Sequence, residues 1–224
     1  MNVLSASRLH RASKCPASMA LPWVESTSPD SERGTLVHRF LEVCALRGRE
    51  AALAEMPGSV RDLCESIDLT QMPIGRGFEP EVKFAFDLAT GKARRLASQG
   101  ARDYSAASET EVVGTADVVG VFDGEVYVAD YKVGFGHDAY TPAVERNAQL
   151  KFLVLAACRE SGVESARAQI LHIRDSGDVW VEQARWDVFD LVGAEQPPGV
   201  ELKLLADYFS ERGPGGGLSS DYFG

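Results

Sequence analysis

Two carboxylates and a lysine stand out in residues 114–132, GTADVVGVFDGEVYVADYK. Asp117 lies inside an apolar run rich in β-branched residues, and Asp130 and Lys132 lie in the next such run. The Asp-Gly pair at 123–124 is typical of a tight hairpin turn, and equal spacing from that turn places Asp117 opposite roughly residue 130. Lys132 follows Asp130 by two residues, so it projects from the same face of the strand. The sequence therefore predicts two acids and a lysine clustered at one end of a hairpin.

Such a cluster suits metal-assisted phosphate chemistry. Carboxylate oxygens are hard ligands for Mg²⁺ or Mn²⁺, which are bound together with substrate phosphate and water. The metal polarises a phosphoryl oxygen and lowers the pKa of a bound water, and a lysine beside it can orient that water or stabilise transition-state charge. The alternative is structural, since an Asp near a strand end is often a cap or a turn residue. Asp117 favours the functional interpretation, because a buried and unpaired carboxylate is costly.

The surrounding pattern predicts helices first and antiparallel strands afterwards. We expect helices at 4–15, 33–47 (ended by Gly48), near 57–68, at 142–160 and at about 200–211, with a polar loop at 24–32. We expect hairpins from 79–86 with 92–97, 110–121 with 125–132, and 167–173 with 178–184. This order predicts an α/β fold in which a central mixed β-sheet is flanked by helices on both faces, with an N-terminal helical elaboration.

The length of 224 residues indicates one domain, which we place at 1–212. Within it, residues 1–75 form the N-terminal helical part, 76–185 the catalytic sheet core and 186–212 a C-terminal helix, and 213–224 form a flexible Gly-rich tail. No apolar run approaches the roughly 18–20 residues that span a bilayer, so no membrane association is expected. The four cysteines are far apart, which favours a reduced, intracellular setting over a disulfide framework.

The net charge of −10 speaks against a passive nucleic-acid coat. It does not exclude an enzyme that concentrates positive charge locally and places divalent cations between its acids and a phosphate. Basic residues do cluster near the N-terminus, at Arg8, His10, Arg11 and Lys14. A solvated helix face would show the same pattern, so both interpretations stay open.

Asp117, Asp130 thirteen positions later and Lys132 resemble the core of the PD-(D/E)XK nucleases. The context GTADVVGVFDGEVYVADYKVG is similar to the RecB-like and phage exonuclease-like branch of that superfamily. SASRLHRASKCPAS is similar to an N-terminal segment of that branch, ERGTLVHRFLE to its first motif and NAQLKFLVLA to its fourth. The resemblance covers residues 1–160 and implies a restriction-endonuclease-like core.

The resemblance also implies roles for individual residues. His38, Asp117 and Asp130 would bind Mg²⁺ or Mn²⁺, and Lys132 would position or activate the attacking water. Three further groups of residues follow, each with an ordinary alternative as a surface residue: Glu81 as support of the metal site or of the lysine, Gln149 as a catalytic or DNA-binding amide, and Arg8, Arg11 and Lys14 as DNA-backbone contacts. Tyr131, His137, His172 and Trp180 show no such pattern, and we interpret them as structural.

Two departures from the family pattern matter. The tyrosine of the fourth motif is Leu153 here. Some relatives carry an iron–sulfur cluster; Cys15 matches its first ligand, but no cysteine follows Cys158, so no iron–sulfur cluster is expected.

The resemblance implies a metal-dependent DNA nuclease, and an exonuclease before a site-specific endonuclease. It would hydrolyse phosphodiester bonds in recombination, repair or phage DNA processing, in the cytoplasm of a bacterial or phage-infected cell. Its partners would be a single- or double-stranded DNA end and a recombination protein. Two alternatives stay open: a catalytically silent nuclease-fold binding module in a DNA-processing complex, and an RNA-directed phosphodiesterase.

Overall fold

A single mixed β-sheet forms the centre of the protein. The computed structural model describes residues 4–9, 11, 28–97, 103–134, 141–188 and 191. In this part of the chain the strands are β1 (Leu4–Ser5), β2 (Phe78–Asp87), β3 (Lys92–Arg95), β4 (Glu111–Phe122), β5 (Glu125–Val133), β6 (Ser165–Ile173) and β7 (Val179–Asp187). Their order is β3-β2-β4-β5-β6-β7, with β1 paired to β4. The β1–β4 and β5–β6 pairs are parallel and the others are antiparallel.

Helices cover both faces of this sheet. The α-helices of the described residues are α1 (Pro29–Arg47), α2 (Arg49–Glu55), α3 (Gly58–Ser66) and α4 (Ala148–Ser161). Short 3₁₀ turns lie at Ala6–Arg8, Leu69–Gln71 and Val144–Arg146. The first three helices share one apolar core with one face of the sheet, and α4 shares another with the opposite face. The predicted α/β class, with a central mixed sheet between helices, is confirmed.

The predicted helix at 4–15 is wrong at its start. Leu4 and Ser5 pair with Val112 and Val113 of β4, and a 3₁₀ turn follows at Ala6–Arg8. A free strand edge on β4 offers these two residues backbone partners that no local sequence signal reveals. Residues 10 and 12–15 lie outside the described residues.

Two helix starts also differ from the prediction. Helix α1 begins at Pro29 inside the predicted polar loop 24–32, because Ser28 accepts a hydrogen bond from the Ser31 N–H at 3.1 Å and proline suits the first helical turn. Helix α4 begins at Ala148, since the Asn147 side chain caps it; a 3₁₀ turn occupies part of the predicted helical segment 142–147. Helix α2 was not predicted.

The three predicted hairpins are confirmed as β2–β3, β4–β5 and β6–β7. The helix ends at Gly48 and near Gly162 are confirmed as well, both with positive φ. The predicted helix at 200–211 and the tail at 213–224 lie outside the described residues, and the domain limits stay predictions. Among the described helices, none has the length and apolar character needed to cross a membrane.

Strands β4 and β5 stop pairing at Asp117 and Asp130, the two acids that the sequence predicts to do chemistry. We call these two facing positions the row. Their ladder runs from the turn at 123–124, where both residues have positive φ, to the pair Val118 and Ala129. Both strands continue beyond this pair, but they no longer pair with each other. The next row would join Asp117 to Asp130, and β1 pairs with β4 a few residues further on. The two carboxylates therefore stand where the sheet opens.

Candidate metal and active site

Asp117 is held by groups from two other elements. Its Oδ1 lies 3.2 Å from His38 Nδ1 on α1, and its Oδ2 accepts a hydrogen bond from the backbone N–H of Tyr131 on β5 at 2.5 Å. The His38 ring meets the buried Tyr131 ring edge-on, with 5.8 Å between centroids. The His38 side chain of α1 is thus directed at Asp117. Tyr131 packs in the core as predicted.

Asp130 lies on β5, across the row from Asp117 on β4. Residues of β5 alternate between faces, and Val128 packs in the α4 core while Ala129 and Tyr131 pack in the α1 core. Asp130 and Lys132 therefore project from the same face as Val128. The Asp130 side chain is 6% exposed and forms an ion pair with Lys132 Nζ. The amide of Gln149, in the first turn of α4, donates to Asp130 Oδ1 at 3.5 Å, a long contact. The predicted projection of Asp130 and Lys132 from one face is therefore observed.

Glu81, His38 and Asp117 form a close group of potential metal ligands within the described part of the chain. One ligand atom from each of these three residues lies within 4.8 Å of the others. By register Glu81 falls opposite Asp117, and this is the row where the β2–β4 ladder is interrupted. Glu81 also has a φ of 53°, in the left-handed region that is uncommon for residues other than glycine. The backbone of β2 is therefore locally irregular at the carboxylate that faces the site.

This geometry differs in one respect from the predicted ligand set of His38, Asp117 and Asp130. The close group contains Glu81, whereas Asp130 is engaged by Lys132. The role of Asp130 as a further ligand stays a prediction, as do the catalytic roles. Two carboxylates and an imidazole fit Mg²⁺ or Mn²⁺, with the nitrogen ligand favouring Mn²⁺.

The site residues shift one another's protonation. Burial lowers the pKa of His38, but the Asp117 carboxylate beside it outweighs burial and raises the pKa overall. For Asp117, burial raises the pKa, and the charges of His38 and Lys132 together with the Tyr131 N–H more than reverse this. For Asp130, burial and the charge of Asp117 raise the pKa despite Lys132. A dication bound here would favour the ionised carboxylates.

The basic N-terminal segment follows strand β1 in the chain. Strand β1 runs parallel to β4, so the chain that leaves Ser5 advances in the direction of Asp117. Arg8 ends the 3₁₀ turn that follows, and Arg11 is exposed. Lys14 and Cys15 lie outside the described residues. The DNA contacts of Arg8 and Arg11 stay predictions.

Two features of the site have no signal in the sequence. The N–H of Tyr131 that binds Asp117 is a backbone group, which only the strand geometry reveals. His172, which we interpreted as structural, lies beside Lys132 in the β5–β6 register and stacks on Trp180. A histidine and a tryptophan eight positions apart on two strands show their contact only once the β6–β7 register is known.

The fold and the site together define an α/β protein with an acidic, histidine-containing candidate metal site at an opening of its sheet. Residues 2–164 match the family model DUF2800, whose description is protein of unknown function, and the chain belongs to that family. No curated protein matches the chain. A solved structure described as "Crystal structure of SSO0001" is similar over 92% of this chain and 85% of that chain, with 13% identity and a TM-score of 0.32. This likeness is too low to bear on fold or function.

Proposed function

We propose that the protein is a metal-dependent DNA nuclease of the PD-(D/E)XK type that hydrolyses phosphodiester bonds. One observation carries the proposal. Asp117 and Asp130 fall in one row where β4 and β5 part, with Lys132 bound to Asp130 and His38 in contact with Asp117. Both acids have most of their side-chain surface removed from water, which is costly for a carboxylate, and a bound metal ion would offset this cost in a way that a scaffold role does not require.

His38, Glu81 and Asp117 would hold Mg²⁺ or Mn²⁺, with Asp130 as the further predicted ligand. The bound ion would supply a Lewis acid and a more acidic water. Lys132 is fixed by its ion pair with Asp130, so its ammonium is pre-positioned to stabilise negative charge on a phosphate at the row.

The remaining polar groups would orient the substrate. The Gln149 amide lies at the N-terminal turn of α4, where it can hydrogen-bond a phosphate oxygen once its long contact to Asp130 gives way. Arg8 and Arg11 come shortly after β1 in the chain and would contact the DNA backbone. Nothing in the sequence resembles a base-reading domain, so we propose an exonuclease that acts on DNA ends during recombination, repair or phage DNA processing.

The test is digestion of fluorescent DNA and RNA oligonucleotides in Mg²⁺, Mn²⁺ or EDTA. Asp117→Asn and Asp130→Asn should lower cleavage by about 100-fold or more, the scale of losing one pre-organised electrostatic group. The control is Asp123→Asn, the same change in the turn of the same hairpin, where φ is 51° and asparagine is tolerated. This control should retain full activity.

The outcomes separate the alternatives. If folded wild-type protein cleaves neither DNA nor RNA with either metal, the catalytically silent binding module becomes the favoured alternative. Cleavage of RNA with DNA intact would indicate the RNA-directed phosphodiesterase. Equal loss in Asp123→Asn and Asp130→Asn would show that the row itself does not matter.

A further inference from the structure

Trp180 is an exposed aromatic side chain on β7, the outermost strand of the sheet among the described residues, two strands from Lys132. It is 45% exposed, although tryptophan is usually buried in a core. The registers place Lys132 opposite His172 on β6, and His172 opposite Trp180 on β7. Residues opposite each other in a sheet project from the same face. Trp180 therefore lies on the face that carries Lys132 and Asp130.

Trp180 is held in one orientation from beneath. Its ring lies over the buried His172 ring, with 4.7 Å between centroids and 30° between planes. His172 Nε2 lies 3.5 Å from Glu182 Oε1, and the other oxygen of Glu182 accepts a hydrogen bond from the Val144 N–H at 3.2 Å. This chain of contacts ties the ring pair to the 3₁₀ turn that leads into α4. One face of Trp180 is stacked, and the side chain remains substantially exposed to solvent.

The spacing between Trp180 and Lys132 fits a nucleic-acid strand. Two steps of about 4.8 Å across the sheet separate their backbones by about 10 Å. Stacked nucleotides rise by about 3.4 Å each, so a strand whose phosphate lies at Lys132 has a base at Trp180 within about three nucleotides. An exposed, pre-oriented indole is the usual platform for an unpaired base, because every base has a π-face.

We propose that Trp180, supported by His172, is a stacking platform for an unpaired nucleobase near the strand end at the active site. This inference rests on the proposed nuclease function, and it adds that the substrate is single-stranded where it crosses β7. A paired base inside a duplex cannot expose its face to the indole, so single strands and frayed or overhanging ends would be selected over blunt duplex.

The experiment measures binding without cleavage. Single-stranded DNA oligonucleotides are titrated in EDTA, and the dissociation constant is read by fluorescence anisotropy for wild type, Trp180→Ala and Trp180→Phe. Trp180→Ala should weaken binding by about 5- to 150-fold, the worth of one stacked base, while Trp180→Phe retains most of the affinity. The control is Phe122→Ala, which removes another exposed aromatic about 16 Å along the β4–β5 hairpin from the Asp117 row.

An abasic scan supplies the specific readout. One nucleotide at a time is replaced by an abasic unit. With the wild-type protein, the abasic unit at one position near the end should raise the dissociation constant as much as Trp180→Ala does. With Trp180→Ala, an abasic unit at that position should leave the dissociation constant unchanged. Unchanged affinity in a folded Trp180→Ala protein, or an abasic penalty that persists in it, would overturn the platform. So would the absence of any oligonucleotide binding in EDTA.

The same proteins are then assayed for cleavage in Mn²⁺, which tests the nuclease proposal separately. Binding with a Trp180-dependent abasic position but no cleavage would support the platform and reject the nuclease. Cleavage that is indifferent to Trp180 at every substrate concentration, with unchanged affinity, would reject the platform and keep the nuclease. Melting temperatures of all variants verify that each is folded.

Discussion

Glu81 has a left-handed backbone, so we expect glycine to be more stable than alanine at this position. At neighbouring positions of β2 we expect the opposite order. A non-glycine residue in this region costs roughly 1–2 kcal/mol, which glycine avoids. Elsewhere in a strand, glycine is less stable than alanine by roughly 0.5–1 kcal/mol because of its unfolded-state entropy. Comparing Glu81→Gly with Glu81→Ala removes the carboxylate from both, so only the backbone difference remains. We expect Glu81→Gly to be the more stable of the two by about 1 kcal/mol.

Glu79, two residues earlier on β2, is the matched control. It shares the strand, is exposed and does not have positive φ. Glu79→Gly should therefore be less stable than Glu79→Ala by about 0.5–1 kcal/mol. Urea unfolding followed by circular dichroism gives all four free energies of unfolding. If glycine is less stable than alanine at both positions, Glu81 does not adopt a left-handed backbone and the prediction is wrong.

The same variants connect the backbone to the site. Strained residues persist where the surrounding structure holds them for a function. Both Glu81 variants remove one of three close ligand atoms, so Mn²⁺ should raise their melting temperature less than that of wild type. At 100 times the dissociation constant, a metal ion adds about 2.7 kcal/mol, which is about 5–10 °C for a protein of this size. An equal Mn²⁺ shift in wild type and both variants would remove Glu81 from the ligand set.

Three further predictions concern stability and reactivity. Gly177→Ala should lower the free energy of unfolding by about 2–4 kcal/mol, because φ is 86° and a Cβ there would meet the Ser66 backbone at 2.6 Å. The control is Gly124→Ala, at φ 75° with open space around it. This control should lose only about 1–2 kcal/mol in the same urea titration. Asn147→Ala should lose about 1 kcal/mol by the same method, since it removes the cap of α4; no loss would mean that the cap is not formed. In a Cys15→Ser protein, a thiol reagent at pH 8 should react at least about 100-fold more slowly before unfolding than after it, because burial raises the pKa of the remaining thiols to about 11; fast reaction of the native protein would show that they are accessible. These thiols are Cys44, Cys64 and Cys158.

The hairpin that carries the acids was predictable because one turn fixes its register. Asp123-Gly124 adopts positive φ at both positions, so counting outward places Asp117 and Asp130 in one row. Local signals also gave the ends of α1 and α4. The separation of β4 from β5 at that row was not predictable, and neither was the pairing of residues 4–5 with β4 further along the strand.

Other features could not be predicted from the sequence, each for a different physical reason. Ser28 and Pro29 form a standard helix start, but their polar neighbours suggested a loop. The left-handed φ of Glu81 has no sequence signal, because glutamate carries no preference for that region. Trp180 was interpreted as structural since its row-mates lie on two other strands, and only the registers show that it shares a face with Lys132.

The pairing of Leu4 with Val112 also means that β1 can be placed in the sheet only after β4 has been made. During synthesis at about 5–20 residues per second, β1 waits about 5–20 s before its partner strand exists. Ala6 waits longer still, because its methyl group packs against Gly114 and the α4 core. Residues 4–6 are thus made before β4 and α4 but can take their native positions only after both of these elements have been made.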